Sequence, residues 1–183
     1  KTINQIISEP IIIHKLITNK KEREKRVLEL METVGLAERF FNTYPHELDG
    51  GRRQRIGIAR ALSVNPKFIV CDEPVSALDV SIQAQILNLL KELQKNLNLT
   101  YMFITHDLSV VNHFSDYIAV MYLGKIVEMA PAEELFTHPL HPYTGGLLKS
   151  IPSAQQRGRR LDFIPGQVPS PAQYPRGCHF ADR

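Results

Sequence analysis

Two short, continuously apolar segments on either side of a long amphipathic stretch constrain the fold of this chain more than any other feature. Residues 67–71 and 100–105 lack the alternation of a half-exposed strand, which is typical of strands in a parallel sheet covered on both faces. Between them, residues 81–97 carry apolar side chains at helical spacing, beginning with Ile82 and Ile86. Because a strand–helix–strand crossover is right-handed and returns the second strand parallel to the first, the sequence predicts an α/β fold.

The other elements are predicted from short stretches of sequence. The opening apolar residues 2–13 carry no clear helix-start signal, and no element is assigned there. Residues 44–48 are predicted to form a loop with Gly50-Gly51 as its pivot. From Pro152 onward Pro, Gly and Arg dominate, and no regular structure is expected. Periodicity and turn residues predict helices at 21–34, 52–64, 108–114, 132–136 and 143–151, a short turn at 36–41, and a hairpin of strands 117–121 and 125–129.

Composition narrows the class of protein. Of 183 residues, 43% are hydrophobic and 22% charged, an ordinary balance that excludes a disordered chain, a fibre and a small disulfide scaffold. The formal net charge of +3 is too small to indicate a nucleic-acid partner. No apolar run approaches the roughly 18 residues of a membrane span.

Polar side chains follow both predicted strands at the point where each one ends. Asp72-Glu73 come after the first strand and His106 after the second, and ligands of parallel α/β sheets bind at this carboxyl edge. A carboxylate such as Asp72 suits Mg²⁺, Glu73 can polarise an attacking water, and His106 can hold that water or donate to a phosphate. The alternatives are a turn or helix cap for the acids and a structural histidine.

A glycine pair stands directly before the predicted helix at 52–64. Gly50 and Gly51 at a helix N-terminus let backbone N–H groups approach an anion. The alternative is an ordinary tight turn, for which Gly-Gly is a common signal.

Taken together, these segments resemble the ATPase subunits of ABC transporters. Residues 48–62, 71–79 and 104–107 stand in the order and separation of the signature motif, the Walker B strand with its D-loop, and the switch histidine. Residues 138–144 (HPLHPYT) and 164–169 (IPGQVP) resemble the C-terminal extension of oligopeptide, dipeptide and nickel importers, with the F-type subunits of oligopeptide permeases most similar.

The resemblance implies a P-loop NTPase (RecA-like) α/β fold in three parts. These are a helical subdomain with the signature helix at 1–65, the Walker B, D-loop and switch-histidine part of the core at 66–130, and the importer extension at 131–183. It implies ATP and Mg²⁺ as cofactors, Glu73 as the general base and His106 as the switch residue. The implied metal ligand is Asp72, and the implied ATP-binding residues are Asp49, Gly50, Gly51, Arg52, Asp72, Ser76 and Asp79.

The same resemblance implies partners and a location. The expected partners are a second ABC ATPase subunit, two membrane permease subunits contacted through residues 1–65 and, indirectly, an extracellular peptide-binding protein; nucleic acid is not expected. The expected location is peripheral, on the cytoplasmic face of the cell membrane. Two alternatives stay open: a catalytically silent partner subunit, and an ABC-type ATPase outside transport.

One departure from the family pattern is the missing phosphate loop. No Gly-x-x-x-x-Gly-Lys-Ser/Thr segment occurs in the sequence. Because the segments downstream are intact and the first residue is Lys1, we expect the chain to be an N-terminally truncated subunit. By itself it is expected to bind ATP negligibly.

The second departure lies in the signature motif, which usually reads Leu-Ser-Gly-Gly-Gln. Here Asp49 stands in place of Ser and Arg52 in place of Gln. A hydroxyl donates to a phosphate, whereas an ionised carboxylate only accepts, and at ~4 Å from a phosphate charge it costs about 4 kcal/mol at an effective dielectric of 20. One hypothesis is weak hydrolysis at the ATP site that this motif completes. The alternative is that Arg52 pairs with Asp49 and offsets its charge.

Overall fold

The chain forms seven α-helices and four β-strands over the residues that its computed structural model describes, which are 1–151, 163–170, 174–175, 177–181 and 183. They divide into two compact units, Lys1–Thr105 and His106–Arg183. In chain order the elements are α1 (Ile3–Ile13), α2 (Lys20–Thr33), two 3-10 turns (Glu38–Phe40 and Pro45–Glu47), α3 (Gly50–Leu62), β1 (Phe68–Asp72), α4 (Val80–Leu97), β2 (Thr100–Ile104), α5 (Leu108–Phe114), β3 (Tyr117–Tyr122), β4 (Lys125–Pro131), α6 (Ala132–Thr137) and α7 (Pro142–Lys149).

Most predicted elements are confirmed, and their bounds shift by only a few residues. The helix predicted at 21–34 is α2, the two buried segments are β1 and β2, and the hairpin is β3 and β4. Residues 152–162 lie outside the described residues. The described residues beyond 151 contain no helix or strand.

Helix α1 is the element that periodicity and turn residues missed. It begins with a capping box in which the Gln5 backbone N–H lies 3.5 Å from the Thr2 hydroxyl and the Thr2 N–H donates to the Gln5 side chain at 2.9 Å. The Thr-x-x-Gln spacing is a sequence signal for this cap. Ile3, Ile7 and Ile11 then bury one face of the helix completely.

Helices α1, α2 and α3 pack against one another in the first unit. Apolar side chains at helical spacing on the three helices are buried against one another. Their removal from water supplies the main favourable free energy for folding of these helices. The members besides the three α1 isoleucines are Val27, Leu30, Met31, Ile56, Ala59 and Leu62.

Strands β1 and β2 are parallel, as predicted, and their register runs from Phe68 opposite Thr100 to Asp72 opposite Ile104. The expectation that both faces are covered is wrong for the part of the chain that the structure describes. Phe68, Val70 and Met102 are each about half exposed, at 53, 53 and 52%. These residues lie on one face because side chains alternate along a strand, and no described element shields that face. Cys71 points to the other face and is buried, which raises the pKa of its thiol to about 11.

The second unit is built on the β3–β4 hairpin. Leu123 and Gly124 turn the chain with φ values of 47° and 76°, the positive pair that matches the twist of a two-residue hairpin. Ile118, Val120 and Leu135 form its buried core, to which Tyr143 and Leu147 of α7 and other apolar side chains are added at the edge.

A glutamate fixes the segment that leads into α7. The Glu128 carboxylate accepts hydrogen bonds from the backbone N–H groups of Leu140 at 2.7 Å and His141 at 3.1 Å. Burial raises the pKa of Glu128, but the nearby Thr144 hydroxyl and the two backbone N–H groups lower it by more, so the pKa lies below its usual value. The ionised form of Glu128 therefore stabilises the second unit.

Acidification is expected to destabilise the second unit through this carboxylate. Because the pKa of Glu128 is lower in the folded protein, its contribution is present above the unfolded pKa of about 4.3 and is lost as pH falls through the folded value. Glu128→Ala should cost about 1–3 kcal/mol at pH 7, since it removes two hydrogen bonds to a charged group. Thermal unfolding at pH 7, 5 and 3 measures this difference. The exposed Glu92→Gln on α4 is the matched control, and a Glu128→Ala penalty that persists unchanged at pH 3 would contradict the prediction.

No helix among the described residues is both long and apolar enough to cross a bilayer.

Candidate functional site

The start of α3 carries the four predicted ATP-binding residues 49–52. Asp49 is the N-cap of α3, and its carboxylate accepts the Arg52 backbone N–H at 2.8 Å. Because this cap extends the helix back to Gly50, the prediction of Gly50-Gly51 as a loop pivot and of a helix start at residue 52 is wrong. The glycines are instead the first two residues of the helix, and the sequence signal for this start is an Asp before the glycines.

Asp49 and Arg52 also form an ion pair through their side chains. The Arg52 Nη1 atom lies 2.9 Å from the second oxygen of Asp49. The guanidinium carbon of Arg52 stands 5.3 Å from the centre of the Phe40 ring, a distance suited to cation–π attraction. The Asp49 carboxylate is therefore paired with a cation. This favours the alternative that Arg52 offsets the charge of Asp49 over the hypothesis of weak ATP hydrolysis.

The signature glycines pack against the loop that precedes α4 and against the first turn of that helix. A Cβ on Gly50 would lie 2.9 Å from the Leu78 Cδ2 atom, and one on Gly51 would lie 2.7 Å from the Ile82 Cγ2 atom. Both distances are shorter than a real Cβ contact allows, so a larger residue at either position would force the Leu78 or Ile82 side chain to shift. The close approach holds the start of α3 against residues 78–82.

Asp72 and Glu73 lie at the carboxyl end of β1, as predicted, and both are exposed. Glu73 leaves the strand with a φ of 45°, a left-handed conformation that is uncommon for a residue with a side chain. Its backbone N–H donates to the Ile104 carbonyl at 2.9 Å, and its own carbonyl accepts the Ser76 hydroxyl at 3.2 Å. Backbone strain of this kind clusters at functional sites.

Hydrogen bonds tie the predicted D-loop, residues 76–79, and the residue before it to α4. Asp79 caps α4 by accepting the Ile82 N–H at 3.0 Å, and the Gln83 side chain donates to the Val75 carbonyl at 2.9 Å. Ser76 and Asp79 are both exposed. The loop is thus ordered by hydrogen bonds while two of its polar side chains face solvent.

His106 is exposed and is the first residue of the second unit. Its neighbour Asp107 caps α5, accepting the Ser109 hydroxyl and the Ser109 N–H. The hydrogen bond from the Ser109 side chain is the main reason that the pKa of Asp107 lies below its usual value. The predicted switch residue, His106, therefore lies between the end of β2 and the capped start of α5.

The donor chemistry of Asp72 fits a magnesium ion. Mg²⁺ in nucleotide sites is held by one or two carboxylates together with waters and phosphate oxygens. Asp72 is an exposed carboxylate at a strand end, so it can act as such a single ligand. Within the described residues, no group of three or more His, Cys, Asp or Glu side chains is placed to hold a metal.

The first unit thus brings together two predicted groups of site residues, because Gly50 packs onto the loop that follows Glu73 and Gly51 packs onto the start of α4. Sequence reasoning missed three residues that organise this site: Phe40, Leu78 and Ile82. The signal for Leu78 and Ile82 is indirect, since a glycine pair at a helix start indicates close approach by some neighbour. Nothing in the sequence pairs Phe40 with Arg52.

Comparisons with known families divide the chain in two. Residues 1–76 match the ABC transporter family, and residues 127–183 match the oligopeptide/dipeptide transporter C-terminal region.

Curated relatives with similar sequences are ATP-binding proteins of peptide transport. The oligopeptide transport ATP-binding protein AppF of Bacillus subtilis (strain 168) is 55% identical over 186 residues, covering 100% of this chain and 56% of the relative. OppF of the same organism is 64% identical over 82% of this chain and 50% of its own length. OppF of Escherichia coli (strain K12) is 48% identical over 100% of this chain and 55% of its own length. The chain spans about half the length of the curated relatives it matches.

Solved structures of ABC ATPases share the fold. The dimeric bacterial ABC transporter cassette MJ0796 superposes with a TM-score of 0.63 at 34% identity, over 72% of this chain and 57% of that one. A putative metal-chelate type ABC transporter in an inward-facing conformation gives a TM-score of 0.67 at 25% identity, over 74% of this chain and 54% of that one. The predicted α/β ABC ATPase fold is confirmed.

Proposed function

The chain belongs to the ATP-binding subunits of oligopeptide/dipeptide ABC transporters, and from this premise we propose that its protein hydrolyses ATP to energise the uptake of peptides. The observation that carries the proposal lies in the first unit. There, Gly50 packs on Leu78 in the loop that follows the Asp72-Glu73 strand end, and Gly51 packs on Ile82 in the first turn of α4. Phosphoryl transfer needs positioning and charge neutralisation above all, and this packing fixes both polar groups on one scaffold.

Each predicted site residue has a role in this proposal. Glu73 orients and deprotonates the attacking water, and Asp72 holds the Mg²⁺ that neutralises phosphate charge when it is bound. The Gly50 and Gly51 backbone N–H groups approach the terminal phosphate of a nucleotide held by a partner subunit, where the positive end of the α3 dipole favours the anion. His106 stabilises the same phosphate as the switch residue.

The ordered D-loop supports a coupling role. Ser76 and Asp79 are exposed, while the Ser76 hydroxyl donates to the Glu73 carbonyl and the Asp79 carboxylate caps α4. We propose that this loop crosses an interface to a second ATPase subunit, so that closing one site affects the other.

The partners and location follow from family membership and are part of the proposal. Residues 1–65 contact two membrane permease subunits, an extracellular binding protein delivers the peptide, and the subunit lies on the cytoplasmic face of the membrane. The match of residues 127–183 to the transporter C-terminal region favours transport over an ABC ATPase with another role. The sequence contains no phosphate-loop pattern, so the chain alone is expected to bind ATP negligibly.

A transport assay tests this proposal. The complete subunit, assembled with its ATPase partner and membrane subunits in liposomes, is expected to take up a labelled oligopeptide only when ATP and Mg²⁺ are supplied with the binding protein. Peptide should also stimulate ATP hydrolysis by the same preparation. If ATP turnover does not respond to peptide and no peptide is taken up, the transport function is contradicted. The protein would then be an ABC-type ATPase with a role outside transport.

A further inference from the structure

The Arg52 guanidinium at the start of α3 has two neighbours, one from its own segment and one from an earlier turn. The first is the Asp49 carboxylate, which has an oxygen 2.9 Å from the Arg52 Nη1 atom. The second is the ring of Phe40, whose centre lies 5.3 Å from the guanidinium carbon. Phe40 belongs to the first 3-10 turn. A side chain outside the signature segment therefore contacts one of the charged groups of that segment.

The ion pair alone holds the guanidinium weakly. The side chains of Arg52 and Asp49 are 47 and 56% exposed, and an ion pair this open to water contributes little, since fixing its side chains costs entropy. An arginine side chain loses many rotamers when it is held in one arrangement. An aromatic face within about 6 Å attracts a cation. The Phe40 ring therefore supplies a second restraint on the same guanidinium.

Backbone hydrogen bonds hold the turn that carries this ring. The Phe40 N–H donates to the Ala37 carbonyl at 3.1 Å, and the Phe40 carbonyl accepts the Thr43 N–H at 3.0 Å. The same turn is tied to α1, because the Asn4 N–H donates to the Phe41 carbonyl at 3.0 Å. Phe40 is itself partly buried. These bonds anchor the ring without using any residue of the signature segment.

A second guanidinium lies over the same ring. The guanidinium carbon of Arg39 is 4.9 Å from the ring centre, and Arg39 is exposed. Arg39 is the sequence neighbour of Phe40, so its contact stays within the turn, whereas the Arg52 contact joins the turn to α3. The Arg52 contact is therefore the one through which the ring can affect the signature segment.

We propose that Phe40 is a positioning residue for ATP hydrolysis, whose ring keeps the Arg52 guanidinium beside Asp49. The inference rests on the proposed function, in which the start of α3 faces the terminal phosphate of a nucleotide held by a partner subunit. Phe40 acts through Arg52 rather than on the nucleotide. Without the ring, Arg52 leaves Asp49 more often, and the unpaired carboxylate then repels the phosphate.

ATP turnover by the complete transporter tests the inference. Phe40→Leu keeps an apolar side chain but removes the ring, so kcat should fall about two- to fivefold, the equivalent of one exposed cation–π contact. Phe40→Tyr keeps the ring and should retain kcat within about 1.5-fold of the wild type. KM for ATP should change less than kcat, because the partner subunit holds the nucleotide before the two subunits close.

A second background separates positioning from a structural role. In Asp49→Ser/Arg52→Gln the ring has no guanidinium of α3 to hold and no carboxylate to offset, so adding Phe40→Leu should leave kcat unchanged. Phe41→Leu is the matched control, since Phe41 is the next residue and is also partly buried. Arg52 lies over the ring of Phe40, so Phe41→Leu should keep the wild-type kcat. Thermal unfolding establishes that each variant is folded.

The outcomes distinguish this inference from the proposed function. An equal fall in kcat on Phe40→Leu in both backgrounds would overturn the inference, because Phe40 would then act on the structure alone. Wild-type kcat for Phe40→Leu, or an equal fall for Phe41→Leu, would overturn it as well. All of these results leave ATP hydrolysis by the wild type intact. A wild type without ATP turnover would instead contradict the proposed function, and the inference with it.

Discussion

Replacing Glu73 by Gln in the assembled transporter is expected to lower ATP turnover by about 10²–10⁴-fold, while ATP binding stays close to that of the wild type. The amide keeps the shape of the side chain but cannot accept a proton from the attacking water. The backbone around Glu73 is fixed by its N–H bond to Ile104 and by the Ser76 hydroxyl on its carbonyl. Both of these contacts use backbone atoms of Glu73, so glutamine at position 73 can form them as well.

Single-turnover ATP hydrolysis and equilibrium binding of a fluorescent ATP analogue measure the two parts of this prediction. Glu92→Gln, at an exposed position on α4, is the matched control and should hydrolyse ATP at the wild-type rate. If Glu73→Gln retains more than about a tenth of the wild-type turnover, Glu73 is not the general base. If the wild type itself shows no ATP turnover, the silent-subunit alternative is favoured.

Arg52→Gln is expected to lower turnover by roughly 10- to 1,000-fold, and Asp49→Ser/Arg52→Gln is expected to restore it to within about threefold of the wild type. In the wild type, the Asp49 carboxylate lies 2.9 Å from the Arg52 guanidinium. Without Arg52, an unpaired carboxylate faces the bound phosphate, at a cost of up to about 4 kcal/mol for a separation of ~4 Å. Serine at position 49 removes that charge, keeps the cap of α3 and donates to the phosphate.

A double-mutant cycle of ATP turnover and KM measures the coupling between these two positions. Asp49→Ser alone should have a smaller effect than Arg52→Gln, because it removes an acceptor and leaves a cation near the phosphate. Thermal unfolding of each variant separates an effect on turnover from a loss of stability. The exposed ion pair contributes only about 0–1 kcal/mol to the free energy of unfolding, so the variants should remain folded. An Arg52→Gln variant with wild-type turnover would show that Asp49 does not face the nucleotide. A double variant several-fold faster than the wild type would restore the hypothesis of weak hydrolysis.

Short-range sequence signals were sufficient to predict most of the helices and strands. The two parallel strands, the crossover helix and the β-hairpin follow from apolar spacing and from Leu123-Gly124, because these elements depend on neighbours close in sequence. The placement of Asp72 and Glu73 at a strand end follows for the same reason. Helix α1 and the start of α3 were not predicted, since a Thr-x-x-Gln cap and an Asp before two glycines are weaker signals than periodicity.

What the sequence by itself determined is the set of chemical groups and their order along the chain: the acids after one apolar strand, the histidine after the next, and a signature segment with Asp49 and Arg52 in unusual places. Only the tertiary structure decided how those groups meet. The ion pair of Asp49 with Arg52, the Phe40 ring beside that guanidinium and the packing of Gly51 on Ile82 depend on side-chain directions in three dimensions. Spacing along a chain fixes which face a residue occupies, but distances between elements are set by how their surfaces pack.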